Sequence, residues 1–343
     1  WEFITKNNIN NRIINPNLVI TNFNEKSDIF NFNKSKLLEN YDTIYLDLFY
    51  YNVYTKIYDN QINLRVLNEF NLDNLNIKDI SRIIEDKNKT FVFIITSYNN
   101  SPYIKKNLDS ILNQNYKLWR IIYIDDNSSD NTYDLVNNYI KNNNLYLKCK
   151  LIRNNNCMNE GYNRFVSYNL VDDDEIVCFL YGDDWLYDNC VLERLNAEYM
   201  DDILLTFGSY CEFKDGKNSK IRNAIDYSND VKEKCRFRER GGWFGIPLRT
   251  GYGYLYKDIP EDYLKDSDGN WFSCVSCTDI AEFLWAIENV DNRYKAIKWV
   301  GYVYNLDGSK KFNLSDSEYK YRVKSSEKIF NYKKLNYNLN KYN

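Results

Sequence analysis

The sequence predicts an α/β fold: a mainly parallel sheet with helices on both faces, preceded by a small accessory domain over residues 1–88. Three observations predict it. Between residues 90 and 207, short apolar runs alternate with helix-period segments at the spacing of successive strand–helix units. The runs are continuously apolar, as in strands buried on both faces. Residues 1–88 lack that rhythm, are rich in Asn and carry no chemical motif.

In order, residues 43–58 are rich in Tyr, Ile, Leu and Val and suit strands, with a turn at Asp59-Asn60 into a hairpin partner over 61–66. A short helix is expected over 77–85. Phe91-Val92-Phe93-Ile94-Ile95 is the first buried strand. A helix over 102–112 follows, with Ser101 as N-cap and Pro102 at its first position; Ile104, Leu108, Ile111 and Leu112 share one face. Further strands are expected at 119–124, 147–152, 176–180 and 203–207. Helices are expected at 130–140, 161–170 and 189–199. The polar tail from 315 reads as one helix and then a frayed end. The domains are therefore 1–88, a main domain over 89–310, and a tail over 311–343.

At 343 residues the chain is long enough for about two domains. Its 45 basic and 48 acidic residues leave a net charge of -3, which gives no field to recruit nucleic acid or an anionic membrane. No apolar run is long enough to span a membrane, and residues 1–11 lack a signal-peptide layout. The chain opens on Trp1 rather than Met, which leaves room for an upstream segment. There is no histidine, so imidazole catalysis and His metal sites are excluded. A divalent metal would sit on oxygen ligands, as Mg²⁺ or Mn²⁺ do. Most of the eight cysteines fall in apolar strands and read as reduced core thiols. Cys274 and Cys277 form one CxxC without a second pair, too little for a zinc ribbon. The excess of Asn and Tyr reads as codon drift in an AT-rich genome, such as those of some giant viruses and parasites.

Ligands of an open parallel sheet bind beyond the carboxyl ends of its strands. Three loops meet that condition: Thr96-Ser97-Tyr98-Asn99, Asp125-Asp126-Asn127-Ser128 and Tyr181-Gly182-Asp183-Asp184-Trp185. Adjacent acids after a buried strand are costly unless paired, and a cation bound to a diphosphate would pair them. The acid runs 172–175 and 201–202 precede strands instead and are expected as solvated turns at the opposite rim. On position alone, Tyr98 either stacks on a planar base or covers the sheet edge. Asp126 likewise either accepts from a base N–H or caps the next helix. Neither a G-x-G-x-x-G after the first strand nor a P-loop is present, so dinucleotide dehydrogenases and P-loop NTPases fit poorly.

These motifs together resemble the family 2 glycosyltransferases, which have the GT-A (Rossmann-like) fold. The resemblance spans about 90–309 and is weakest over 206–271. Phe91 to Asn99 resembles the family's first strand and its "TSYN" end. Ser110-Ile111-Leu112-Asn113-Gln114 resembles its first helix. Ile124 to Asp130 resembles the "VDDGSTD" loop, with Asn127 where Gly is usual. Glu175 to Asp184 resembles "GEYIAFLDADD", with Tyr181 and Gly182 in its variable places. The resemblance implies a nucleotide-sugar donor, most often a UDP-sugar, with Thr96 and Tyr98 holding the base and Asp126 bonding the uracil. It implies Asp183 on the ribose and Asp184 on Mn²⁺ or Mg²⁺. Arg153 and Arg164 lie near the family's "NxGxxxARN" stretch, and Arg164 is carried over to the donor. Asp279 falls where the family places its catalytic base, with Thr278 for the usual Glu. Asp307 falls on the place of a metal-ligating His and could supply oxygen instead, or simply form a turn with Gly308.

The implied reaction is inverting hexosyl transfer to an acceptor hydroxyl on a glycan or glycoprotein, with Asp279 taking the proton. The acceptor is expected over 236–272, where Trp243 and Tyr252 offer aromatic faces and the basic run 232–240 reads as a solvated loop. A giant-virus source would make surface glycans or collagen-like fibres the expected acceptors, and would place the protein in the cytoplasm or with host cell or virion. A nucleotidyltransferase and a non-catalytic carbohydrate-binding protein on the same fold are the competing readings.

Overall fold

The computed structural model describes residues 88–238, 245–273, 277–308 and 314–332, with the backbone of two short strands at 2–4 and 20–22. The hairpin expected over 43–66, the helix over 77–85, Trp243, Cys274 and the end of the tail lie outside the described residues. The strands are β1 (Glu2–Ile4), β2 (Ile20–Asn22), β3 (Phe91–Ser97), β4 (Trp119–Asp125), β5 (Cys149–Arg153), β6 (Ile176–Tyr181), β7 (Trp185–Leu186), β8 (Leu205–Lys214), β9 (Lys217–Arg222), β10 (Thr250–Tyr252) and β11 (Tyr294–Asn305). The helices are α1 (Ile104–Leu112), α2 (Thr132–Asn142), α3 (Asn159–Tyr168), α4 (Val191–Glu198), α5 (Asn229–Glu233), α6 (Tyr254–Lys257), α7 (Thr278–Glu288) and α8 (Asp316–Asn331).

The chain forms two compact units: residues 1–88, 115–118 and 192–200 in one, and 89–114, 119–191 and 201–343 in the other. In the first, β1 and β2 pair antiparallel. Within it the buried Tyr116 hydroxyl donates to Asn196 Oδ1 at 3.1 Å, and Asn196 Nδ2 donates to Asn88 Oδ1 at 3.2 Å.

The second unit holds a nine-stranded sheet in the order β5-β4-β3-β6-β10-β8-β11-β7, with β9 paired to β8. β3 lies parallel between β4 and β6, and β4 is parallel to β5. This half matches the alternation read from the sequence. Beyond β6 the sheet departs from it, because β10 enters antiparallel between β6 and β8. β11 is parallel to β8 and antiparallel to β7. β9 turns back on β8 through Asp215 and Gly216, both at positive φ. It is exposed along its whole length, so no apolar pattern could announce it.

Side chains alternate across a strand. Val92, Ile94, Val177 and Phe179 therefore share one buried cluster with Tyr168 of α3, Tyr256 of α6, and Phe283 and Leu284 of α7. Their alternates Phe91, Phe93 and Ile95 are also fully buried, on the other face. α7 is buried on nearly every side, as befits a helix apolar almost all round. Ser101 does not cap α1: the helix starts at Ile104, after a turn closed by Tyr103 N–H on the Asn100 carbonyl. The Ser101 N–H is given to Asp130 instead. α8 does begin as its sequence dictates, with a capping box between Ser315 and Glu318.

Two charged runs differ from expectation. Asp172, Asp173 and Asp174 are solvated, but Glu175 is buried and takes two hydrogen bonds from Arg120, at 2.6 and 2.5 Å. Arg238, in the basic run, is mostly buried and grips Glu288 at the end of α7 at 2.6 and 2.9 Å. Its long side chain finds a carboxylate that the local sequence does not reveal. Four described cysteines, 149, 178, 211 and 277, are buried thiols.

Gly161 seats α3 on the segment that follows α6. A Cβ there would lie 2.6 Å from the Leu264 carbonyl oxygen and 2.9 Å from the Phe272 nitrogen, both backbone atoms that cannot swing aside. Gly161→Ala should cost about 1–3 kcal/mol in urea unfolding. An unchanged midpoint would show that this contact is not tight.

Candidate active site

The ends of β3, β4, β5 and β6 form one rim. Its loops are stitched together by short polar side chains. Ser128 Oγ accepts from Asn99 N–H at 2.9 Å and donates to Asp125 Oδ1 at 2.5 Å. Asn99 Oδ1 accepts from the N–H groups of Ser129 and Asp130, at 2.9 and 3.3 Å. Asn100 N–H donates to Thr132 Oγ1 at 2.9 Å. Asn127 has φ 61°, in the left-handed region that Gly enters freely and Asn tolerates, which explains Asn at a Gly place.

The structure sorts the rim acids by what already holds them. Asp125 is fully buried beneath this loop; burial pushes its carboxyl up, and the bonds from Ser128 and the nearby Arg153 oppose that. Asp126 was expected either on the base or on the next helix. Instead its oxygens accept from Asn154 Nδ2, Met158 N–H and Asn159 N–H at 2.7, 2.8 and 3.0 Å, and face Cys157 Sγ at 3.3 Å. It thus caps α3, a helix further along than the next, and its lone pairs are largely taken. Asp184 is 2 % exposed and accepts from Asn305 N–H at 2.7 Å and Tyr302 Oη at 2.5 Å. Burial, then the charge of Asp184, pushes the Tyr302 hydroxyl far up, so it stays a donor. Asp184 therefore fastens the turn after β6 to β11 and faces inward. Asp307 does not join it: its two oxygens accept from Asp215 and Gly216 N–H at 3.0 and 3.1 Å, closing the β8–β9 turn. These two bonds hold its carboxyl below the ordinary value.

Asp183 remains partly exposed on the same turn, where Asn305 Nδ2 donates to its carbonyl at 3.0 Å. The turn packs closely, since a Cβ on Gly182 would fall 2.5 Å from Ser97 Oγ. Thr96 is buried at the end of β3, and Tyr98 beyond it is 44 % exposed. Among the described residues no group of three or more acids and thiols is gathered to hold a metal. A single rim carboxylate with phosphate oxygens still suits Mg²⁺ or Mn²⁺, which commonly take one or two protein carboxylates.

Arg164 is not at the rim. It is fully buried, 3.6 Å from Glu160 and 3.7 Å from Glu282, with its guanidinium over the rings of Phe179 and Tyr181 at 4.7 and 5.2 Å. The Glu160–Arg164 spacing of four residues, a helical ion pair, is the signal that could have shown this. Arg153, named in the sequence but given no role, takes the outward place at the end of β5. Its side chain is 43 % exposed, donates to the Ser128 carbonyl at 3.2 Å and lies over Tyr133.

Tyr252 lies at the wrong end of the sheet for a rim residue. It pairs with Ile176, at the start of β6, and stacks on Tyr254. Five residues of strand, about 17 Å, separate Ile176 from Tyr181. Arg249, just before β10, lies at the rim end instead, where its carbonyl accepts from Phe179 N–H at 3.2 Å. Its guanidinium is 4 % exposed and faces the Asp279 carboxylate at 3.8 Å. Asp279, in the first turn of α7, is partly exposed.

With this geometry in place, residues 92–255 match the family model described as Glycosyl transferase family 2. That stretch, a little under half of the chain, is thus similar to the family 2 glycosyltransferases. Solved structures similar to the chain include S. aureus TarS 1-349 in complex with UDP-GlcNAc, at 17% identity, covering 66% of this chain and 61% of that one with a TM-score of 0.49. The mannosyltransferase PcManGT from Pyrobaculum calidifontis, in complex with GDP-Man and Mn2+, is also similar at 17% identity, covering 65% and 58% with a TM-score of 0.41. The chain thus spans less than two thirds of the length of either. No curated protein matches it. No described helix is long and apolar enough to cross a membrane.

Glu282, one turn past Asp279, accepts from the Tyr168 hydroxyl. Burial pushes its carboxyl up to about 7, against the pull of Arg164 and Tyr168. The folded chain thus holds a proton that the unfolded chain releases near 4.5. The stability this brings is complete below about 4.5 and lost as pH rises through about 7, on the order of 3 kcal/mol. Urea unfolding at about pH 5 and about pH 8 should show this loss in the wild type. Glu282→Gln, which cannot ionise, should flatten the slope; an unchanged slope would exclude Glu282 as the titrating group.

Proposed function

We propose that the chain is an inverting hexosyltransferase that moves a sugar from a nucleotide-sugar, most simply a UDP-sugar, to an acceptor hydroxyl on a glycan or glycoprotein. The observation that carries this reading is the sorting of the acids. Asp125, Asp126 and Asp184 are buried, and the exposed Asp307 closes the β8–β9 turn, while Asp183 and Asp279 are partly exposed beside the rim loops and on α7. The family match over 92–255 gives the sheet on which they sit its chemical context.

The base would lie by the Asn99–Ser128 junction. Tyr98 offers an exposed ring on one side and Arg153 an exposed guanidinium on the other. Both planar groups suit stacking on a nucleobase. Asp183 rather than Asp184 would meet the diphosphate and its divalent cation, Mn²⁺ or Mg²⁺, which when bound offsets charge on the leaving nucleotide. Asp279 takes the acceptor proton as the oxygen attacks the anomeric carbon, a step that commonly contributes about 10²–10⁴-fold. Residues 89–310 would form the catalytic domain and 1–88 an accessory one. A collagen-like acceptor rests on composition alone.

The test is nucleotide release from UDP-, GDP- and CMP-sugars with Mn²⁺ and with EDTA. Metal-dependent release from one donor is expected. Asp279→Asn should retain UDP binding and lose transfer by about 10²-fold or more; full turnover would refute the assignment. Asp183→Asn should weaken metal-dependent UDP binding at unchanged thermal stability. Asp184→Asn should instead lower stability by about 1–3 kcal/mol, because two buried donors lose their charged acceptor. The reverse pattern would return the metal to Asp184.

A further inference from the structure

We infer that Arg249 is a positioning residue for Asp279, holding the carboxylate in place by charge while leaving an oxygen lone pair open for the proton. The inference rests on the reading of Asp279 as the base. Its grounds are geometric. Asp279 Oδ1 accepts from Ile280 N–H at 3.0 Å, and Oδ2 faces Arg249 Nη1 at 3.8 Å. The second distance is too long for a hydrogen bond and short enough for attraction between a buried guanidinium and a partly exposed carboxylate. A shorter bond would occupy one more of the carboxylate's acceptor sites, and no cation at all would leave the acid free to turn.

Arg249 is itself held. Its Nη1 donates to the Gly245 carbonyl at 3.1 Å, and its backbone is paired to β6. The groups around it balance its charge. Burial alone would lower its proton affinity, but Asp279, Tyr181 and Glu282 raise it, against Arg164. Acidic and basic groups thus alternate from Glu160 through Arg164, Glu282 and Arg249 to the partly exposed Asp279. Removing Arg249 would leave three acids against one base.

The test compares Arg249→Met, which removes the charge, with Arg249→Lys, which keeps it. Arg249→Met should lower kcat by about 10²-fold, the lower end of a general-base contribution, with KM for the donor and UDP affinity within about twofold of wild type. Arg249→Lys should recover about tenfold of that loss. Adding Arg249→Met to Asp279→Asn should slow the enzyme no further, because residues acting through one group are not additive. Equal kcat in wild type and Arg249→Met would overturn the inference alone. So would an additive double variant, or a UDP affinity that falls in step with kcat. If Arg249→Met fails to fold, Arg249→Gln carries the same comparison. A wild type that releases nucleotide from no donor and binds no UDP would overturn the reading of the site, and this inference with it.

Discussion

Everything at the rim depends on a charge that water never touches. Arg164 has no exposed surface, and a buried guanidinium is tolerable only if paired. Its partners come from the elements that build the site. Glu160 lies on α3, Glu282 on α7, and the rings of Phe179 and Tyr181 on β6. α3 begins at the residues that bind Asp126, α7 carries Asp279, and β6 leads into Asp183. Removing one partner would strand a buried charge at a cost of about 3–5 kcal/mol, so the cluster ties these three elements to one arrangement. Burial raises Glu282 toward about 7, and this offsets the excess of acid in the cluster.

The same rule separates acids that look alike in sequence. Asp183 and Asp184 are neighbours with one composition, yet opposite fates. Asp184 is turned into the protein, where Tyr302 and Asn305 satisfy it. Asp183 stays at the surface of the turn. Both lie in the turn between β6 and β7 rather than in a strand, and donors from β11 draw Asp184 inward. An acid fully supplied with buried donors is structural.

Much of this was legible in the sequence. Apolar runs such as Phe91 to Ile95 show strands because burial on both faces demands continuous hydrophobicity. The loops following them could be placed at the ligand end without coordinates. What lay beyond reach depends on long-range partners. Asp126 binds Met158 and Asn159, some thirty residues on, and Asp184 binds Tyr302 and Asn305 well over a hundred residues away. Spacing could not disclose either. Arg164 differs: Glu160, one turn earlier, is a local sign of its burial, whereas motif position points to the rim.

The direction of one short strand accounts for the rest. A parallel β10 would have put Tyr252 at the rim and Arg249 at the far edge. Because β10 runs antiparallel to β6, Thr250 pairs with Cys178 and Tyr252 with Ile176. Arg249 thereby comes up beside Phe179 at the working end, and the aromatic residues of the same segment go to the opposite one. Strand direction has no signature in three residues of sequence, because alternation looks the same read either way. With no histidine in the chain, the proton acceptor must be a carboxylate or another non-imidazole group. A carboxylate in that role needs fixing while keeping an acceptor site open. An arginine delivered by a reversed strand, close enough to attract and too far to bond, meets that requirement.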